Sequence, residues 1–270
     1  LSRPILWPSP SSDPAPNVGA QFQVIDHVSF QDRSRWSQWA DGGGSSLELK
    51  DPERDNDFPA AWADSDETEK SDWSSLEFTG VLDRAAGTRP RSFQIQLLGA
   101  GECLVDEIQI MQPGSPNQIT NPSFESGQSD WVFQDHHIQS KVEEGIGIEA
   151  SGALHITTSG RGDSHSNRIR STLARGDMRA PGEATIRARV RWLRGHPEIL
   201  FRLQGNYIEA FHRMPVPENL GTPGQRNSRW ENNSAPVIQN VQHRPILPSP
   251  DDPIIVTATI RDRSGIESTL

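Results

Sequence analysis

Ala184-Thr185-Ile186-Arg187-Ala188-Arg189-Val190-Arg191-Trp192 alternates apolar and polar residues almost without a break. Successive side chains of an extended chain point to opposite faces, so Ala184, Ile186, Ala188, Val190 and Trp192 share one side and the arginines the other. A helix would scatter the same apolar residues around its circumference. The stretch therefore predicts a long strand with one face in a core, and its arginines form the solvated face. Shorter runs of the same kind lie on both sides: Trp73 to Phe78, Ser92 to Leu98, Cys103 to Ile110, Asp130 to Phe133, Ala153 to Ile156, Asn167 to Arg170 and Glu198 to Leu203. Glycine and proline punctuate them, and none carries helical periodicity. The fold class is all-β, built of antiparallel sandwiches.

Composition sets the organisation. The chain has 270 residues, 33% of them hydrophobic, a proportion that points to small modules joined by polar segments. Residues 1–18 are rich in Pro and Ser and read as a tail or linker. Residues 19–113 form a first expected sandwich, in which Phe22, Val24, Val28 and Phe30 share one parity of a half-buried strand. The turn Asp41-Gly42-Gly43-Gly44 leads into a second strand, Ser45 to Leu49, giving a hairpin with a glycine-rich connection. Asp51 to Lys70 reads as a long surface loop pinned by Phe58 and Trp62. Pro113-Gly114-Ser115-Pro116 marks a boundary, and residues 117–215 form the second expected sandwich. Residues 216–236 read as a linker. Val237 to Val241 and Ile254 to Ile260, within 237–270, read as the first strands of a further Ig-like sandwich.

Charge and cysteine content exclude several classes. Thirty-six acidic residues against 26 basic ones give a net charge of -10. With no aromatic ladder among the arginines, no nucleic-acid partner is expected. No apolar run is long enough to insert in a bilayer. The single cysteine, Cys103, rules out an internal disulfide and a Cys-rich zinc site. Catalytic motifs are equally scarce. Asp64, Asp66 and Glu67, and the pair Glu143-Glu144, could supply an acid and a base but read as solvated loop charge. A nucleophile elbow and a P-loop are absent. His136 and His137 would face opposite ways on a strand and do not suit one tetrahedral site. Arg161-Gly162-Asp163-Ser164 spells an adhesive tripeptide, for which a tight turn is the expected role.

Tryptophan is the better lead, because sugar rings stack their apolar faces on aromatic side chains while neighbouring polar groups take the hydroxyls. Trp36 and Trp39, flanked by Arg35 and Asp41, read as an exposed platform, with Tyr207 a further candidate. Trp131 and Trp192 are expected in the core.

Two resemblances follow from these residues. Val24-Ile25-Asp26-His27-Val28-Ser29-Phe30 through Trp36, then Asp41-Gly42-Gly43-Gly44-Ser45-Ser46-Leu47-Glu48-Leu49 and Asp55-Asn56 to Trp62, resembles the closing strands of bacterial lamin-tail-like domains. Asn121-Pro122-Ser123-Phe124-Glu125 followed by Asp130-Trp131 is similar to the opening of galactose-binding-like jelly rolls, common in carbohydrate-binding modules. Leu104-Val105-Asp106-Glu107-Ile108 resembles the closing strand of that superfamily. The second resemblance implies a structural calcium ion, with Glu125 and Glu209 as carboxylates in the second module and Asp106 in the first. The order of the pieces is similar to large secreted bacterial proteins that also carry a CotH-type kinase domain. It implies a secreted or cell-surface location, neighbouring domains of a longer chain as partners, and a non-catalytic binding role toward a polysaccharide or cell-envelope glycan. The alternative is a structural spacer or adhesion segment that positions a neighbouring domain.

Overall fold

The computed structural model describes residues 5–8, 22–31, 35–82, 90–163, 165–174, 178–205, 208–262 and 265. Its strands are, in chain order, β1 (Ile5–Pro8), β2 (Phe22–Asp26), β3 (Leu47–Leu49), β4 (Trp62–Asp64), β5 (Ser74–Val81), β6 (Ser92–Leu97), β7 (Gly101–Met111) and β8 (Trp131–Phe133). They continue with β9 (Lys141–Glu143), β10 (Ala153–Thr158), β11 (Ile169–Thr172), β12 (Glu183–Gly195), β13 (Glu198–Leu203), β14 (Glu209–Arg213), β15 (Val237–Arg244) and β16 (Ile255–Arg261). The described residues hold only single turns of 3-10 helix besides strands, at Pro59–Ala61, Asp135–His137 and Ile148–Ala150. The chain divides into two units: residues 39–46 with 66–221, and residues 1–38, 47–65 and 222–270.

The larger unit is a ten-stranded antiparallel sandwich of two sheets, ordered β5-β12-β7-β10-β9 and β14-β13-β6-β11-β8. The strands predicted from 73 to 203 are present, but they do not sort into two sandwiches divided at 113–117. β5 and β7 share a sheet with β10 and β12, and β6 lies between β11 and β13. A single buried cluster joins both sheets, from Val105, Ile110, Leu154 and Trp192 on one to Phe93, Ile95, Phe201 and Trp131 on the other. Neither expected module could bury its apolar face alone; interleaving their strands closes one core. Within it Phe93 stacks on Phe201, ring centres 5.7 Å apart, and meets Trp131 edge-on at 6.4 Å.

β12 keeps the predicted parity, with Ala184, Ile186, Ala188, Val190 and Trp192 all buried. β7 does not keep one parity throughout: Cys103 and Val105 face the core, then Ile108 and Ile110. The pairing with β12 shifts between Arg187↔Gln109 and Arg189↔Asp106, and Glu107 sits there at φ 50. A β-bulge inserts one residue and switches the parity that faces the core, with Asp106 buried beside it.

The smaller unit contains three two-stranded sheets: β1 with β2, β3 with β4, and β15 with β16. The expected hairpin across Asp41 to Gly44 is not formed. β3 instead pairs with β4, Leu49 opposite Trp62, while the glycine turn belongs to the larger unit. The reason is close approach. Gly43 donates to the Trp39 carbonyl at 3.0 Å and its own carbonyl accepts from Gly195 N–H at 2.7 Å. A Cβ at Gly44 would lie 2.9 Å from the Trp192 ring. β2 also departs from a half-buried strand: Val24 is 53% and Ile25 65% exposed, because β2 has only β1 beside it.

Part of the expected 216–236 linker is tied down. Glu48, buried on β3, accepts from Thr222 Oγ1, from Ser228 Oγ at 2.7 Å and from Arg229 N–H at 3.2 Å. Arg229 Nε donates to the Asp64 carbonyl at 3.1 Å and Asn227 to that of Leu49 at 2.9 Å. A polar composition leaves such a segment without a core of its own, but its hydrogen-bonding groups satisfy a short sheet that needs partners. β15 and β16 are the antiparallel pair predicted for the last segment, with Ile238, Val241, Ile255 and Val256 more than half exposed.

Candidate functional site

Trp36 lies in the smaller unit and Trp39 in the larger. Trp36 is half-buried, with the ring centres of Phe30 and Trp62 each 6.4 Å from its own. Trp39 is also half-buried: the Arg194 guanidinium sits 5.5 Å from its ring centre, and a Cβ added to Gly195 would approach the ring within 2.6 Å. Both rings are used in packing. Arg35 and Asp41 are exposed. Tyr207 lies outside the described residues. Trp131 and Trp192 are in the core, as expected.

Of the three carboxylates, Asp106 and Glu125 meet at the 147–152 loop and Glu209 lies in the other sheet. Glu209 stands on β14, an outer strand of its sheet, 3.3 Å from Arg202 Nε. Glu125 is exposed and accepts from Gly152 N–H at 2.9 Å, next to β10 in the other sheet. Asp106 is fully buried at the bulge. Its Oδ1 accepts from Glu107 N–H at 2.6 Å, and its Oδ2 from Ile148 N–H and Ser151 Oγ, both at 2.9 Å. Three hydrogens thus point at the Asp106 carboxylate. Among the described residues no group of three or more His, Cys, Asp and Glu side chains is arranged for a metal. Asp106 anchors the 147–152 loop, which carries Glu149 and Ala150 at positive φ.

A charge network crosses the outer face of the first sheet, and sequence reading missed it because its members are far apart in the chain. His155 on β10 reaches Glu143 on β9 with Nδ1 at 2.5 Å and Glu102 on β7 with Nε2 at 3.2 Å. Arg194 adds a 2.8 Å bond to Glu102, and Lys141 lies 3.2 Å from Glu143. Burial opposes the imidazolium, yet its bonds to Glu102 and Glu143 outweigh burial and raise the His155 pKa. Burial likewise opposes the charge on Glu102, but His155 and Arg194 hold it below the usual carboxylate range. Elsewhere, burial, with His136 adding to it, pushes His137 down to about 4. Its Nε2 accepts from Leu97 N–H at 3.2 Å, so the ring is neutral.

The signs follow from linkage. His155 contributes stability below its ordinary 6.5, lost as pH rises through its raised value. His137 works in the opposite sense: stability falls from 6.5 downward toward 4, because the unfolded chain takes the proton first. The melting midpoint of His155→Gln should therefore fall below that of the wild type near neutrality and converge with it at alkaline pH. His137→Gln should lose part of the acid sensitivity between those two values. Calorimetric melts across pH check both, and a wild-type-minus-His155→Gln difference that grows with alkalinity would refute the network's role.

The outer face of the second sheet gathers a different set. Phe93, Ile95 and Leu97 face the core, so Gln94 and Gln96 point outward, yet they are only 1% and 3% exposed. Arg202 on β13 and Arg170 on β11 stand directly opposite Gln94 on either side, with Glu209 beyond Arg202 and Val132 beyond Arg170. A second row sets Phe211 on β14 opposite Leu200, and Leu200 opposite Gln96. Phe211 is 57% exposed. Gly162 borders this face through a 2.8 Å bond from its N–H to the Leu97 carbonyl. In the same loop the Asp163 carboxylate accepts from His165 N–H, Ser166 N–H and Asn167 Nδ2 at 2.8 to 3.2 Å, the turn expected of the adhesive-looking tripeptide. Those bonds hold Asp163 down to about 2. No family model, no curated protein and no solved structure matches this chain.

Proposed function

We propose that the chain is a non-catalytic binding segment of a secreted or cell-surface protein and that its ligand is a carbohydrate. The observation that carries this reading is Phe211, 57% exposed on the outer face of the second sheet. An exposed aromatic ring offers a sugar an apolar face to stack on. Trp36 and Trp39 are half-buried, and Phe211 offers the more exposed ring. Screening against a glycan array, followed by calorimetry with the best polysaccharide, tests the reading. Phe211→Ala should weaken binding about tenfold, the loss of one stacking contact worth roughly 1 kcal/mol or a little more. Trp36→Ala should leave binding at the wild-type level. Binding lost in Trp36→Ala and kept in Phe211→Ala would restore the original platform.

The spacer reading is supported by one specific observation. Both tryptophans and the 222–234 segment serve internal packing and hydrogen bonding in their own units. It predicts no binding to any glycan, and turnover of a glycoside by this chain would overturn both readings.

A further inference from the structure

Three guanidinium groups crowd the outer face of the second sheet. Arg170 and Arg202 flank Gln94 from the two neighbouring strands, about 10 Å apart in the backbone, being two interstrand spacings. Arg168 immediately precedes β11, two residues before Arg170. Burial, then the charges of Arg170 and Arg202, push Arg168 below the usual arginine range, with Asp163 pulling the other way. Like charges repel, and a chain with a net charge of -10 has carboxylates to spare for neutralising them. Glu209 stands 3.3 Å from Arg202, and Asp163 is within electrostatic reach of Arg168. Arg170 is half-buried and has no carboxylate partner among the described residues. A half-buried cation among like charges is costly to the free protein, and an oxyanion set against its guanidinium offsets that cost.

We infer that this face binds an acidic polysaccharide, one whose sugar units carry carboxylate or sulfate, and that Arg170 takes the oxyanion between Gln94 and Val132. The inference rests on the carbohydrate reading above and narrows it to a ligand class. A planar guanidinium presents paired N–H donors that match the two oxygens of a carboxylate or sulfate. Phe211, 57% exposed, borders the same face and offers a sugar ring an apolar surface.

The test uses the whole chain. Calorimetry is run with polygalacturonate as the carboxylated probe, chondroitin sulfate as the sulfated one and a neutral galactomannan, with sodium sulfate and acetate alone as controls. Either acidic polymer should bind, more weakly as salt rises, and Arg170→Gln should weaken it about tenfold or more. The same variant should melt at or above the wild-type midpoint, since removing one of three like charges relieves repulsion; a purely structural arginine would lower it. Arg170→Lys, which keeps charge but not the paired donors, should recover only part of the affinity. The two acidic probes separate carboxylate from sulfate. Acidic-polymer binding that survives undiminished in Arg170→Gln, or a lowered midpoint in that variant, overturns the inference. Binding of the galactomannan alone overturns it but leaves the carbohydrate reading standing. No binding of any polymer removes both.

Discussion

Trp192→Ala should lower the stability of the larger unit by about 3–5 kcal/mol, about 10 °C or more in melting midpoint for a unit of this size. Trp192 is 1% exposed and belongs to the central cluster. Its ring packs where Gly44 comes closest, and its Nε1 donates to the Gly195 carbonyl at 3.0 Å. Truncation leaves a large cavity against backbone that cannot close in, because the 39–46 turn is bonded to Gly195 through Gly43. It also leaves the Gly195 carbonyl without its donor. A bound sugar cannot reach such a ring, so the loss should appear in calorimetric melts of the free protein. A midpoint within about 2 °C of wild type would mean that the ring does not hold this core.

Asp106→Asn is the second large effect. The substitution conserves volume but places an NH2 group where an oxygen accepts hydrogens. Either the Glu107 N–H or the pair from Ile148 N–H and Ser151 Oγ then loses its acceptor. Buried donors left unsatisfied cost about 1–3 kcal/mol each, and more when the lost acceptor is charged. A loss of roughly 3 kcal/mol or more is expected, with faster hydrogen exchange at Ile148 and Gly152, the two amides that hold the loop to Asp106 and Glu125. In the wild type, a chelator should leave the midpoint where it was. A fall of several degrees on chelation, restored by calcium, would replace this anchor with an ion.

Much of the larger unit was legible because alternation is a local property. The parity of β12 from Ala184 to Trp192 needs only the rule that side chains point to opposite faces, and it put Trp192 in the core correctly. The strands at 92–97, 131–133 and 153–158 were legible for the same reason. β4, β9 and β14 were not: three to five residues with mixed polarity carry too little pattern, and partners define them. The parity switch in β7 was hidden because Leu104-Val105-Asp106-Glu107-Ile108 reads equally well as one unbroken strand; only pairing with β12 fixes the bulge.

The candidate site shows the same division. Residue types alone pointed to Trp36 and Trp39, and the structure half-buries both, with Phe30 and Trp62 near the first and Arg194 near the second. Gln94, Arg170 and Arg202 drew no notice, being ordinary outward residues on three strands that are far apart in sequence. The sequence by itself determined an all-β chain, the parity of its long strand, the burial of Trp131 and Trp192, and a net negative charge. Only the tertiary structure decided that one sandwich crosses the proline-rich break at 113–116, that Asp106 meets the 147–152 loop, and that three arginines share one face. The physical reason is range. Alternation and turn chemistry act over a few residues, whereas strand order is chosen by which apolar faces can close a single core, and that choice depends on the whole chain at once.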